Sequence, residues 1–313
     1  MFLQIAYIIA GIVLVLWGAD RLTDGAVALA ERMSIPQMVI GLTIVAVGTS
    51  APEFCVSLVS ALKGTADLAV GNVVGSNIFN TLLITGVAAM VAPMTVLPST
   101  VRKDVPVAVA ASFLLAAMVL VDGRLSRLDA ALLAVGLVAF MWLTLRGARG
   151  GGAGEEEPTA PKGYGVGKAV LLLVTGLACL VLGSNLFVDG ATSVAGALGV
   201  SQAVIGLTVV AGGTSLPELA TSVVAARKGN SGIAIGNVLG SNVMNILLIL
   251  GVAGLVCPMH VQGITLVDYA MLTGSILMLW LFARTSLTVA RWEGAVLTAL
   301  FLAYMAWLVA GAV

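Results

Sequence analysis

The chain has 313 residues, of which 60% are hydrophobic and 10% are charged, whereas an ordinary soluble domain carries about 25% charged residues. Its 15 Lys and Arg residues balance 15 Asp and Glu residues, so the formal net charge is zero, and the mean hydropathy is +1.11. This composition cannot cover a water-soluble globule with polar side chains. It excludes a soluble enzyme, a disordered chain and a nucleic-acid-binding protein with a basic face, and it indicates an integral membrane protein.

Residues that typically carry catalysis or bind transition metals are isolated in this sequence. Cys55, Cys179 and Cys257 each stand alone among apolar residues, with no CxxC or Cys/His spacing, which argues against a zinc site or a disulfide framework. The single histidine, His260, has no identifiable nucleophile or orienting partner. We therefore expect no enzyme activity and no cofactor. The glycines lack a P-loop lysine, which excludes ATP-driven pumping within this chain.

Apolar runs bounded by polar, glycine or proline residues divide the chain into membrane spans. About 20 apolar residues cross a bilayer as one helix, and the runs predict an all-α fold of ten such helices. A linker rich in glycine and proline, with three glutamates at 155–157, separates the fifth span from the sixth. In chain order the predicted spans are 3–20, 37–62, 69–91, 105–121, 128–145, 169–188, 202–226, 233–256, 265–283 and 293–312.

The sequence before the linker is repeated after it. Gly41–Met94 and Gly206–Met259 align without a gap at an offset of 165, with 32 identities in 54 positions. The repeat unit contains five spans, and this odd number turns the second unit upside down in the membrane relative to the first. The sequence thus predicts a first inverted repeat at 1–146, a linker at 147–167 and a second inverted repeat at 168–313.

Basic residues in the loops predict the orientation. Twelve of them fall on one side of the predicted spans, whereas the other side has only Lys63, Arg124 and Arg127. Because basic loops stay in the cytoplasm, we expect both termini outside and the linker in the cytoplasm of a multi-pass cell-membrane protein.

Glu53 and Glu218 lie near the middle of long apolar segments, at equivalent positions of the repeat. A charge at the centre of a spanning helix costs about 2.5–3.5 kcal/mol, and no Lys or Arg is placed at that depth to offset it. The natural counter-charge is a bound cation. The alternative is that each glutamate is a neutral hydrogen-bonding group between helices.

Pro52 and Pro217 directly precede the two glutamates. Because proline has no N–H, the carbonyl four residues before each proline loses its helical donor. The residue before each proline is also pushed away from helical geometry. We expect breaks at Gly48–Ser50 and Gly213–Ser215 whose oxygens turn inward, as irregular backbone at this depth must be buried or line a cavity. Hard cations such as Ca2+ and Na+ favour such oxygens, although a proline kink without a ligand is the alternative.

A second repeated motif reads GNVVGSNIFN at 71–80 and GNVLGSNVMN at 236–245. Its Asn, Ser and Asn recur every four residues and therefore share one helix face; they are Asn72, Ser76 and Asn80, and Asn237, Ser241 and Asn245. Asn80 and Asn245 lie deepest in the apolar runs, where an amide oxygen can bind a cation. Polar contacts between helices are the alternative, above all for Asn72, Asn77, Asn237 and Asn242. The motif glycines Gly71, Gly75, Gly236 and Gly240 predict close helix packing.

Asp24 and Asp189 also recur in the repeat, near the predicted span ends. A carboxylate is tolerated there more easily than at mid-membrane. We therefore expect helix capping or gating from these two residues rather than ligation.

The segments GTSAPE (Gly48–Glu53) and GTSLPE (Gly213–Glu218), each followed by GNxxGSNxxN, resemble the two alpha repeats of the cation/calcium exchanger superfamily, in its sodium/calcium exchanger branch of prokaryotic type. The resemblance covers almost the whole chain and implies that Glu53 and Glu218 bridge a central Ca2+. It further implies that backbone oxygens of Thr49 and Thr214 complete that site, with Asn80 and Asn245 in its middle. The flanking Na+ positions it implies are lined by Ser50, Ser76 and Ala46, and by Ser215, Ser241 and Ala211.

Two details of these motifs bear on the coupling ion. The proton-coupled exchangers of the superfamily typically have a GNxxE-like motif where this chain has GTSxPE, which favours Na+ coupling. Potassium-dependent exchangers use an acid at the position of Asn245, so the amide argues against K+ cotransport.

Together, the residues and the resemblance predict secondary antiport of Na+ against Ca2+ through one shared midplane site. A Ca2+/H+ antiporter and a passive cation channel remain as alternatives. Ca2+, Na+ and the lipid bilayer are the expected partners, with no nucleic acid and no obligate protein partner.

Overall fold

A computed structural model of the protein describes residues 2–149, 163–198 and 211–312. This part is helical apart from four two-residue strands. In chain order the helices are α1 (Phe2–Met33), α2 (Gln37–Ile40), α3 (Ala46–Thr49), α4 (Ala51–Leu62), α5 (Ala66–Ile78), α6 (Thr85–Val91), α7 (Pro98–Arg102), α8 (Asp104–Asp122), α9 (Arg127–Arg149), α10 (Val166–Ala197), α11 (Ala211–Thr214), α12 (Leu216–Arg227), α13 (Ser231–Met244), α14 (Gly251–Val256), α15 (Leu266–Ser286) and α16 (Arg291–Ala312). The strands are β1 (Met94–Thr95), β2 (Arg124–Leu125), β3 (Met259–His260) and β4 (Thr288–Val289).

Eight helical stretches within these ranges are long and apolar enough to cross a membrane. A ninth is formed by Gln37–Thr49 and Ala51–Leu62, which are bent by 49° relative to each other. The start of the predicted span 202–226 lies outside the described residues, and α11 and α12 account for the remainder. The prediction of a helical, multi-pass integral membrane protein is confirmed.

The helices α1 and α10 are longer than predicted. The expected spans 3–20 and 169–188 extend to Met33 and Ala197 as continuous helices. Asp24 and Asp189 therefore lie within helices, and the expectation that they cap helix ends is wrong. Lys228 binds Asp20 and Asp24 of α1 at 2.5 and 2.8 Å. These ion pairs partly offset the charge of the two carboxylates inside the continuous helix.

Glycines bring α1 and α10 into backbone contact. A Cβ atom on Gly18 would lie 2.7 Å from the carbonyl oxygen of Gly176, and one on Gly11 would lie 2.6 Å from that of Gly183. Because the residue numbers rise along α1 as they fall along α10, the two helices pack antiparallel. Close approach of this kind requires residues without a side chain, as at small-residue interfaces of other membrane helices.

The two stretches that carry the asparagine motifs, Ala66–Val91 and Ser231–Val256, are the most buried of the candidate spans. A Cβ atom on Gly236 would lie 2.7 Å from the Met38 carbonyl oxygen, so the predicted close packing is confirmed there and at Gly240. It is wrong for the first motif, since Gly75 has no such neighbour within 4 Å and Gly71 meets only a side chain.

Each short strand pairs with a strand from the other side of the linker. β1 pairs antiparallel with β4, with Met94 opposite Val289, and β2 pairs antiparallel with β3, with Leu125 opposite Met259. These pairings join loops that are far apart in the chain.

Within the ranges that the structure describes, three π-helical turns interrupt the membrane helices, at Gly41–Val45, Phe79–Ile84 and Asn245–Leu250. Such turns occur frequently at functional sites. Two of them contain or begin at the motif residues Asn80 and Asn245, so the backbone changes its winding where these amides lie.

Candidate cation site between two helix breaks

The helix carrying each glutamate is interrupted three residues before it. Ser50, with φ −79° and ψ 7°, separates α3 from α4, and Ser215, with φ −89° and ψ 6°, separates α11 from α12. Pro52 and Pro217 lie at the starts of the new helices, where their missing N–H groups are tolerated. Of the breaks expected at Gly48–Ser50 and Gly213–Ser215, the structure confirms those at Ser50 and Ser215, whereas the residues before each serine remain helical.

The two breaks face each other through crossed hydrogen bonds. The Ser50 hydroxyl donates to Oε1 of Glu218 at 3.0 Å, and the Ser215 hydroxyl donates to Oε1 of Glu53 at 2.9 Å. Both glutamates are 1% exposed. Each carboxylate is therefore held by the serine of the opposite half, and residues 162 and 168 positions apart in the chain meet in one site.

The first asparagine motif adjoins this pair. The Ser215 hydroxyl lies 3.5 Å from that of Ser76, and Asn80 follows Ser76 by one helical turn. In the second motif, Asn245 follows Ser241 in the same way. All four motif residues are buried.

Several buried oxygen atoms around these residues have no hydrogen-bond partner among the described residues. They include Oε2 of Glu53, Oε2 of Glu218, Oδ1 of Asn80, Oδ1 of Asn245 and Oγ of Ser241. A buried polar atom without a partner costs about 1–3 kcal/mol, so a concentration of them points to a ligand that supplies the missing interactions. Carboxylate and amide oxygens are the ligands that hard cations prefer.

Charge balance also favours a cation. In the described ranges, Asp20, Asp24 and Asp122 form ion pairs, whereas neither glutamate does. No three His, Cys, Asp or Glu side chains there are grouped as a metal site. The candidate ligand set therefore has two carboxylates and otherwise neutral oxygens, which suits an exchanged alkali or alkaline-earth ion better than a permanently bound transition metal.

The remaining predicted residues line the breaks. Thr49 is buried, and its hydroxyl donates to Oδ1 of Asn237 at 3.0 Å. Ala46 is buried, and its carbonyl accepts the Ser50 N–H at 3.0 Å. Thr214 ends α11 and Ala211 begins it, but the side chain of Ala211 lies outside the described residues.

Asn72 and Asn237 bind the backbone at the two glutamates, which agrees with the alternative prediction of polar contacts between helices. Each Nδ2 group donates to the backbone carbonyl of the nearby glutamate, Glu53 or Glu218, at 3.2 Å. The same groups donate at 2.9 Å to two serines that sequence reasoning missed, Ser57 and Ser222. Both serines follow a glutamate by four residues and recur at the offset of 165, which is the signal that could have identified them.

Ser184 is a second residue that the sequence did not reveal. Its hydroxyl donates to the carbonyl of Gly213, one of the two carbonyls that proline deprives of a helical donor. This carbonyl is therefore bound by α10 instead of being available to a ligand. The equivalent position in the first half is Ala19, so no repeat signal could predict this contact.

The similarity to known proteins agrees with this chemistry. The family model described as sodium/calcium exchanger protein matches residues 3–146 and 168–310. The putative antiporter CaxA of Alkalimonas amylolytica is 37% identical over 313 residues, covering 97% of this chain and 98% of its own. The sodium/calcium exchanger MaX1 of Methanosarcina acetivorans is 32% identical over 340 residues, covering 95% and 96% of the two chains.

A solved structure is also similar over its whole length. The sodium-calcium exchanger NCX_Mj, soaked with Na+ and Ca2+, superposes with a TM-score of 0.85 at 32% identity and covers 98% of each chain. The paired glutamates, the repeated motifs and these similarities have one explanation. The chain belongs to the sodium/calcium exchanger family, and it is a membrane antiporter of prokaryotic type.

Proposed function

We propose that the protein exchanges Na+ for Ca2+ at one shared site, which opens alternately to the two sides of the membrane. The observation that carries this proposal is the pair of buried glutamates, each with one carboxylate oxygen that lacks a hydrogen-bond partner in the described structure. Glu53 and Glu218 are the principal ligands of Ca2+. Asn80 and Asn245 add amide oxygens, and Thr49 and Thr214 add backbone oxygens.

Charge neutralisation couples the two ions. The two carboxylates carry two negative charges, which one Ca2+ or two Na+ neutralise. Since both ions need the same two buried carboxylates, Ca2+ and Na+ compete for the glutamates. The neutral oxygens of Ser50, Ser76 and Ala46, with those of Ser215, Ser241 and Ala211, line the Na+ positions. A third Na+ held by such oxygens makes the exchange electrogenic.

Na+ is the coupling ion and K+ is not cotransported. Asn245 is an amide and holds neither a charge nor a titrating proton, so the site contains two carboxylates rather than three. A Ca2+/H+ antiporter is the second candidate, because the glutamates lack a basic partner among the described ion pairs and membrane carboxylates can carry protons.

Ten spans in two inverted five-helix repeats, 1–146 and 168–313, provide the framework for alternating access. The strand pairing supports this architecture. β1 and β2 lie at opposite ends of the spanning helix α8, so they belong to opposite membrane faces. β3, the repeat equivalent of β1, pairs with β2. Equivalent strands of the two halves therefore lie on opposite faces.

The twelve basic residues on one side of the spans support a cytoplasmic linker at 147–167 and external termini, in the cell membrane. The glycine contact between α1 and α10 leaves few side chains between the two helices. We infer that these helices slide together against the rest of the bundle when the site changes its exposure.

Ca2+ uptake by proteoliposomes tests the function. Vesicles loaded with Na+ and diluted into Na+-free buffer should accumulate Ca2+, with or without added K+, whereas vesicles with an acidic interior and no Na+ should not. Uptake driven by the proton gradient alone would overturn Na+ coupling. Ca2+ entry that needs no ion on the opposite side would indicate a channel.

The site assignment is tested by Glu53→Gln and Glu218→Gln. Removing one charge from a buried ion pair costs about 3–5 kcal/mol, which corresponds to a loss of about 100-fold or more in Ca2+ affinity. Glu31→Gln, at an exposed position outside the site, is the matched control and should transport normally. Full activity of both glutamine variants would refute the assignment.

A further inference from the structure

Three asparagines of the repeated motifs form a directed chain of hydrogen bonds beside the cation site. Nδ2 of Asn77 donates to the backbone carbonyl of Asn242 at 3.0 Å, and Nδ2 of Asn245 donates to Oδ1 of Asn77 at 2.9 Å. All three residues are at most 3% exposed. In this conformation the three residues are therefore shielded from water, and each amide must match its neighbour.

The backbone carbonyl sets the direction of the whole chain. A carbonyl oxygen only accepts hydrogen bonds, so Asn77 must turn its NH2 group toward Asn242 and its Oδ1 atom toward Asn245. The Asn245 amide must then offer its NH2 group to Asn77. Its own Oδ1 atom is left on the other side, where it is buried and lacks a hydrogen-bond partner among the described residues.

We propose that Asn77 is a positioning residue, which fixes the Asn245 amide with its oxygen toward the transported cation. The inference rests on the proposed function, because it assigns Asn245 to that site. A reversed Asn245 amide would place two N–H groups against a cation and would set its oxygen against Oδ1 of Asn77. The bond that Asn245 donates to Asn77 prevents this reversal, so the site always presents an oxygen ligand at position 245.

The same bond makes position 245 selective for a neutral amide. Oδ1 of Asn77 is an acceptor and cannot donate to a carboxylate. Ionised aspartate at position 245 would therefore face an acceptor, unless Asn77 turned over and placed its oxygen against the Asn242 carbonyl. Either arrangement of the ionised residue contains one buried repulsive contact, which aspartate avoids only as the neutral acid, whose O–H group can donate to Oδ1 of Asn77. Asn77 thus disfavours a third carboxylate in this site and favours a ligand set with a charge of minus two.

The two halves differ in how these asparagines are hydrogen-bonded. Asn242 is the repeat equivalent of Asn77, but its Nδ2 group donates to the Thr81 hydroxyl at 2.7 Å. No hydrogen bond joins Asn242 to Asn80 within the described ranges, and the equivalent of Thr81 is Ile246. The amide at position 245 is therefore oriented by its neighbour, whereas the amide at position 80 is not. Asn242 provides a matched control for substitutions of Asn77.

The test is a double-mutant cycle on equilibrium Ca2+ binding to the purified full-length protein in detergent. Asn77→Leu should weaken Ca2+ binding about tenfold, the effect expected for losing one oriented buried ligand. In Na+-driven transport it should raise the KM for Ca2+ more than it lowers the maximal rate. Asn242→Leu, which removes an amide of the same size, should change Ca2+ affinity much less.

The decisive comparison uses the Asn245→Asp background. There Asn77→Leu removes a repulsive acceptor, so it should strengthen Ca2+ binding instead of weakening it. A structural role for Asn77 predicts the same loss in both backgrounds, and that result would overturn the proposal. An equal loss in Asn242→Leu would overturn it as well. If Asn77→Leu does not fold, Asn77→Thr keeps a small polar side chain without a fixed direction, and the same reversal of sign is expected.

The binding measurement also separates this inference from the choice of coupling ion. If the wild-type protein binds Ca2+ but its transport is driven by protons, Na+ coupling is overturned. The role of Asn77 is then still decided by whether Asn77→Leu changes Ca2+ affinity in opposite directions in the two backgrounds. A wild-type protein that binds no Ca2+ would overturn the cation site and, with it, the role of Asn77.

Discussion

The two halves of the chain are nearly equivalent at the glutamates and differ at the helix ends. Lys63 and Lys228 occupy equivalent positions, each directly after the helix that carries a glutamate. Lys228 binds Asp20 and Asp24 of α1. Lys63 is exposed, and no ion pair joins it to Asp189, the equivalent of Asp24, in the described part of the chain.

This difference shows which features the duplication preserved and why. The serine–glutamate contacts and the contacts of Asn72 and Asn237 recur in pairs with almost equal lengths, as expected if the proposed cation takes oxygens from both breaks. The helix ends meet different neighbours, since Lys228 binds two carboxylates of α1 and Lys63 is exposed. Equivalent residues therefore have different partners at the two ends.

The largest expected effect concerns the contact between α1 and α10. Gly18→Ala and Gly183→Ala each introduce a Cβ atom at 2.7–2.8 Å from a backbone oxygen of the opposite helix. We expect each to lower the free energy of unfolding by about 1–3 kcal/mol, and to a similar degree, when thermal unfolding is followed in detergent. Gly274→Ala, in α15 with no atom within 4 Å of the added Cβ, is the control. A tolerated Gly18→Ala would show that the helices are not held at backbone distance.

A smaller effect separates the two lysines. Lys228→Met removes two ion pairs. The side chains of Lys228 and Asp24 are 26% and 11% exposed, so the free energy of this pair lies between that of a surface pair and that of a buried pair. The substitution should therefore cost about 1–2 kcal/mol of stability. Lys63→Met should leave the melting temperature of the protein nearly unchanged. Equal losses in the two variants would contradict the asymmetry of the structure.

The smallest effect concerns the crossed serines. Ser50→Ala and Ser215→Ala each remove one neutral donor from a glutamate, worth about 1 kcal/mol, and should weaken Ca2+ binding about fivefold. The two losses should be equal, because the bonds differ by only 0.1 Å in length. Calorimetric titration with Ca2+ measures both. A large effect of one serine alone would show that the halves do not contribute equally.

Local chemistry explains why much of the site could be predicted. The breaks follow from Pro52 and Pro217, whose missing N–H groups act within one helical turn. The repeat of 165 residues marks Glu53 with Glu218 and Asn80 with Asn245, independently of how the helices pack. Ser57 and Ser222 were also present in this repeat, but a serine in a membrane helix has too many local uses to be recognised without its partner.

The sequence alone determined that this protein lies in a lipid membrane, that it is helical, where two of its helices break and which polar residues are duplicated. Composition and neighbouring residues suffice to set these features. Tertiary structure decided the remainder. The crossed serine–glutamate bonds, the pairing of Lys228 with Asp24 and the direction of the Asn77 amide join residues 162 to 204 positions apart. Such contacts depend on which faces of distant helices meet, and side-chain packing and buried hydrogen bonding choose that arrangement only when the whole bundle has formed.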